Sequence, residues 1–111
     1  MLKISSTGEI SLTRGDSAWL TVDIVNDTTG EAYLMKPEDT LTLSLKKSVY
    51  DDEPVFQKAI KGSNMFKILP TDTANLGFLK YKYDVQLTTA SGDVFTVIPD
   101  NTFHILPEVT I

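Results

Sequence analysis

Strict alternation between apolar and polar residues is the feature that most narrows the folds open to this chain. In "DTLTLSLKK", Leu41, Leu43 and Leu45 fall on one side, and Thr40, Thr42, Ser44 and Lys46 on the other. "LKYKYDVQL" repeats the pattern over a longer span, setting Leu79, Tyr81, Tyr83, Val85 and Leu87 against Lys80, Lys82, Asp84 and Gln86. "AWLTVDIV" sets Leu20, Val22 and Ile24 against Trp19, Thr21 and Asp23. Successive side chains of a strand point to opposite faces, so a period of two marks a strand with one face in the core; the 3.6-residue period of a helix would scatter the same residues around its axis.

Shorter strand candidates at 9–13, 55–60, 65–69, 94–98 and 102–106 lie between the turn signals "RGDS", "NDTTGE", "KGSN", "ASGD" and "PDN". Each signal supplies Gly, Asn, Asp or Pro where the chain has to reverse, and Ser91-Gly92 reads as a hairpin. Only "PTDTANL", residues 70–76, looks helical, with Pro70 or Thr71 placed to start a single turn. Seven to eight short strands predict an all-β fold, an antiparallel β-sandwich with one short helical turn near residues 70–76. A length of 111 residues suits one domain, 1–111, around one core.

Arg14-Gly15-Asp16 spells the tripeptide that integrins read in matrix proteins. Here strand-like sequence flanks it on both sides. Gly15 accepts a positive φ, and Asp16 and Ser17 can bond the local backbone, so the expected role is a tight turn.

The composition narrows function by exclusion. A net charge of −5 offers no positive field to phosphates or anionic lipid, so neither nucleic acid nor a membrane is an expected partner. With no cysteine there is no disulfide, thiolate site or cysteine nucleophile. No apolar run is long enough for a signal peptide or a membrane span, so the chain is expected to be made and kept inside a cell. Without a secretion signal, the glycosylation pattern at Asn26-Asp27-Thr28 carries no weight.

His104, the sole histidine, alternates with Phe103 and Ile105 and reads as a strand position facing solvent or a sheet edge. Asp51-Asp52-Glu53 reads as a solvated acidic loop whose spacing matches no calcium loop. There is no zinc signature and no glycine-rich phosphate loop. The expectation is therefore a protein that is not an enzyme, with no catalytic residue, no metal and no cofactor. Trp19, Tyr33 and Tyr50 are the candidate partner-contact residues, with a sugar-stacking platform as the alternative use of the same aromatics.

Taken in order, "TRGDSAWLTVDI", "LTLSLKKSVYDDEPVFQK", "LPTDTANL", "KYKYDVQLTTASGDVFTV" and "FHILPEVT" resemble a known pattern. It is that of the immunoglobulin-like N-terminal domain of tailed-phage upper baseplate proteins and related small phage or prophage structural proteins. The resemblance runs from about Ile10 to Thr110. It places the turn at Arg14 to Asp16 before the second strand, Lys46 to Pro54 after the third, and Tyr81 to Asp84 through the core. A short helical turn ahead of a strand with buried tyrosines also resembles the corner between the fifth and sixth strands of immunoglobulin-like domains, where Tyr81 or Tyr83 would bond backward. The cysteine pair of antibody domains is missing. The resemblance hands over no active site. It implies a virion component, made in the bacterial host cytoplasm, that contacts other baseplate or tail proteins or self-associates as a homo-oligomer. The family domain commonly opens a longer polypeptide, whereas this sequence stops at Ile111. A carbohydrate-binding β-sandwich module on a cell-surface or host-recognition protein is the alternative.

Overall fold

The computed structural model describes residues 2–4 (backbone only), 8–25, 29–48, 50, 53–77 and 80–107. They form β1 (Leu2–Ile4), β2 (Ile10–Thr13), β3 (Ala18–Thr21), β4 (Thr40–Lys46), β5 (Phe56–Lys61), β6 (Met65–Ile68), α1 (Pro70–Thr73), β7 (Lys80–Thr88) and β8 (Val94–Leu106). Six strands make one sheet in the order β1-β2-β8-β7-β4-β5, and β3 pairs with β6 in a second. The fold is mostly β, with the sheets curled into a half-barrel.

The alternation read from the sequence becomes the core. Leu41, Leu43 and Leu45 of β4 and Tyr81, Tyr83, Val85 and Leu87 of β7 are buried. From the second sheet and its continuation come Ala18, Leu20, Val22, Phe66 and Ile68, all in one cluster with the residues of the larger sheet. The two sheets thus share a single core. Leu79 lies outside the described residues.

The strand read over 18–25 ends at Thr21, and three further features depart from the sequence reading. First, β2 pairs parallel with β8, so the larger sheet is mixed where antiparallel pairing was predicted throughout. Short turns force antiparallel neighbours, but β2 and β8 are separated by most of the chain, and only their shared core sets their direction. Second, "PDN" does not reverse the chain: the segments 94–98 and 102–106 are one strand, β8. Tyr83 pairs with Asn101, Val85 with Ile98 and Gln86 with Thr96, so β8 gains an extra residue at each of two bulges. Pro99, which has no N–H to donate, sits where the ladder is already interrupted. Third, β1 was not read as a strand; three residues are too few for a periodic signal.

Both tyrosines of β7 tie the sheet to distant backbone. The Tyr81 hydroxyl donates to the Gly77 carbonyl at 3.3 Å, bonding back to the corner that precedes its own strand. The Tyr83 hydroxyl donates to the Gly8 carbonyl at 2.6 Å, anchoring the approach to β2, and its ring meets Phe103 edge-on with centroids 5.9 Å apart. Tyr83→Phe keeps the ring and orphans the Gly8 carbonyl, so urea unfolding should show a loss of about 1 kcal/mol.

Arg14-Gly15-Asp16 forms a turn. Asp16 N–H donates to the Thr13 carbonyl at 3.1 Å and Arg14 N–H to the Leu106 carbonyl at 2.9 Å. Gly15, at φ +85°, occupies the left-handed region that glycine enters without strain. Its N–H donates to Oγ1 of the buried Thr73 in α1, at 2.9 Å. The turn is thus held against the body of the protein from two directions.

An ion pair closes one open side of the molecule. Lys58 lies on the inner face of edge strand β5, a position where a charge also discourages edge-to-edge pairing. Its Nζ reaches the Lys67 carbonyl of β6 at 2.7 Å and Oδ2 of Asp72 in α1 at 2.6 Å. The same Asp72 oxygen accepts the Leu69 N–H at 2.7 Å, satisfying a donor at the start of α1, where Pro70 takes the first helical position. Partial burial raises the Asp72 pKa, but the Lys58 hydrogen bond, the Leu69 N–H and the Lys58 charge together hold the carboxyl below its ordinary 3.8.

Candidate functional site

The three aromatic candidates do not form one surface. Trp19 is 57% exposed on the outer face of β3, and its ring carries the Lys67 ammonium 5.0 Å from the centroid. A sugar stacking on that face would have to displace the cation. Tyr33 is half-buried and packs on the core. Its hydroxyl donates to Asp39 Oδ2, and the same oxygen accepts the Lys36 N–H at 3.0 Å. These hydrogen bonds, the Tyr33 one foremost, hold the Asp39 carboxyl below its ordinary value; the Tyr33 hydroxyl is raised in turn, chiefly by the bond to Asp39. The Asp39 carbonyl accepts the Gly62 N–H at 2.8 Å, so the cluster joins the approach to β4 with the β5–β6 turn. The bond to Asp39 holds the Tyr33 ring in place. Tyr50 is 90% exposed in the β4–β5 loop. Tyr33 and Tyr50 flank opposite ends of the seven-residue β4, about 23 Å of strand.

Other sequence candidates separate in the same way. His104 is half-buried on β8, an interior strand and not an edge, with Ser11 and Lys80 as its cross-strand neighbours. No carboxylate stands in that row to orient an imidazole for base chemistry. Glu53 is exposed, while Asp51 and Asp52 lie outside the described residues, as does Asn26-Asp27-Thr28. Among the described residues, no group of three His, Cys, Asp or Glu is placed to hold a metal.

A cleft of about 300 Å³ on the outer face of the larger sheet is lined in part by Lys46, Lys82, Asp84 and Asp100. Burial pushes the Asp84 carboxyl up, Lys46 pulls it back and Asp100 adds to the rise. Its mixed charges largely answer one another.

A second depression has a different character. It is a groove of about 590 Å³ between the segment after β3 and the first half of β8, lined by Ile24, Val25, Tyr33, Val94, Phe95 and Val97 among others. Leu87 at its floor is buried, yet its cross-strand partner Phe95 is 54% exposed, and Val25 and Val94 are 55% and 56% exposed. Phe95 therefore points to the core side of the sheet at a place that the smaller sheet does not cover.

The backbone there is also open on one side. β2 pairs with β8 only at Phe103, His104, Ile105 and Leu106. Among the described residues, no strand lies against the other edge of residues 94–101, which β7 pairs from one side alone. The hairpin before it is well made: Gly92 N–H donates to the Thr89 carbonyl at 2.9 Å and Thr89 N–H to the Asp93 carbonyl at 2.9 Å. An apolar groove beside a free strand edge suits an extended polypeptide, which satisfies the edge with its main chain and fills the groove with alternate side chains.

Apart from Tyr33, the sequence reading passed over the residues that line this groove. Their signal was "DVFTVIP", where Val94 and Phe95 are consecutive and apolar on both faces of a strand. Such a strand is covered on both sides or waits for a cover. No family model, curated protein or solved structure matches this chain.

Proposed function

We propose that this chain is a non-enzymatic structural module of a phage or prophage virion, an immunoglobulin-like domain that works in a baseplate or tail through protein contacts. The ordered phrases from "TRGDSAWLTVDI" to "FHILPEVT" support the virion reading. The immunoglobulin-like reading draws support from the split of eight strands over two sheets around one core, and from the Tyr81 hydroxyl bonded back to the corner before its strand. The observation that carries the contact role is the open edge of β8 beside an exposed apolar groove. Partners are other baseplate or tail proteins, or further copies of the chain.

Light scattering over a range of concentrations tests this, with the protein alone and mixed with tail and baseplate proteins encoded beside it. A closed oligomer or a discrete mixed complex is expected. A monomer at every concentration that also ignores every one of those proteins would end the proposal.

A further inference from the structure

We infer that the β8 groove receives an extended, basic segment of another polypeptide, which adds as a strand to the open edge of residues 94–99. The inference rests on the contact role proposed above and names the chemistry of the partner.

Three observations carry it. The open edge is strand backbone whose N–H and C=O groups on that side meet no partner strand among the described residues, and six residues of it offer about 20 Å of ladder. Beside it, Ile24, Val25, Phe95 and Val97 line the groove, which takes side chains that alternate along an incoming strand. The third observation is charge. Asp23 is the one charged residue in the groove lining. None of the residues that line the groove is lysine or arginine, and two more acidic residues stand next to it in the chain: Asp93 precedes Val94, and Glu31 precedes Ala32, the bridge partner of Val25. An occupant with lysine or arginine at its ends complements this rim, whereas a second copy, with a net charge of −5, brings like charge to it.

The β5 edge provides the contrast. There the inward Lys58 is neutralised by Asp72, and Lys61 stands exposed on the same strand. Charge of this kind discourages strand addition, and the β8 edge between Val94 and Ile98 has none of it.

The test uses three short probe peptides and the whole protein. One alternates valine and threonine with lysine at both ends, the second ends in glutamate, and the third carries proline in place of the central valine of the first. Fluorescence anisotropy should show the lysine-ended peptide binding about tenfold more tightly than the glutamate-ended one, and the proline version binding weakly because it cannot complete the ladder. Hydrogen exchange should slow at those amides of residues 94–98 that point to the open edge. Phe95→Glu, at a half-exposed position, should keep the melting curve and lose the peptide.

Equal binding of all three peptides, or no binding of any, would overturn the inference. So would light scattering in which the protein dimerises and Phe95→Glu abolishes the dimer, since the occupant would then be a second copy. If a virion partner binds the parent and Phe95→Glu equally, the groove assignment fails while the contact role stands.

Discussion

Replacing Phe66 by alanine should cost about 3–5 kcal/mol, the largest loss expected from a single core truncation in this protein. Phe66 is fully buried, and its sheet has only two strands. That sheet reaches the shared core through Ala18, Leu20, Val22, Phe66 and Ile68, and Phe66 is the largest of them. Strands fixed by a ladder cannot slide in to fill the volume of a lost ring, so the cavity term adds to the lost transfer energy. Domains of this size are typically stable by about 5–15 kcal/mol, which leaves the variant near its folding threshold. Urea titration of the variant against the parent measures the loss. Trp19→Ala is the control: the same sheet, the opposite face, and an expected cost of about 0.5–1 kcal/mol from the Lys67 contact. Similar losses for both variants would show that Phe66 does not anchor the smaller sheet.

The second large effect concerns the Lys58–Asp72 pair. The two side chains are 23% and 16% exposed, between a surface pair and a buried one. Asp72→Ala removes the ion pair and the acceptor for the Leu69 N–H together. The expected cost is about 2 kcal/mol, between the surface and buried ranges.

The pair also sets a pH dependence with a definite sign. The folded pKa of Asp72 lies below its ordinary 3.8 despite the opposing effect of burial. The unfolded chain therefore binds the proton more readily, and the contribution of the ionised carboxylate is complete well above 3.8. It is lost as the pH falls through that value toward the folded pKa. The stability difference between the parent and Asp72→Asn should accordingly be flat from pH 7 to about 5 and shrink below about 4. A difference that stays constant down to pH 2.5 would mean that the charge of Asp72 contributes nothing and that its hydrogen bonds alone matter. Asp84 runs the other way: burial raises its pKa, so ionising it works against the folded state, and acid relieves that cost.

Much of the fold could be read from particular residues. The faces of β4 and β7 followed from Leu41, Leu43 and Leu45 and from Tyr81, Tyr83, Val85 and Leu87, because in a strand each side chain's face is a covalent consequence of its position. The helical turn at Pro70 and the turn at Gly15 were legible because proline and glycine restrict or free the backbone locally. Pro99 misled for the same reason. It marks a break in a ladder, and only the register of β7 against β8 shows that the break is a bulge and not a reversal.

The candidate site was far less legible. Nothing local to Tyr33 in the sequence shows that its hydroxyl meets Asp39, a meeting that depends on the turn between them. Residues 94–98 read as a short strand, but the sequence does not say that Phe95 faces the core side or that the smaller sheet stops short of it.

The sequence by itself determined most of the strands, the apolar faces of β3, β4 and β7, and most of the turns. Those properties follow from torsion angles and side-chain alternation within a few neighbouring residues. Only the tertiary structure decided that β2 runs parallel to β8, that Lys58 meets Asp72, and that half of β8 keeps an open edge beside an apolar groove. Each of these depends on contacts between residues far apart in the chain, whose pairing is selected by the packing of the whole core.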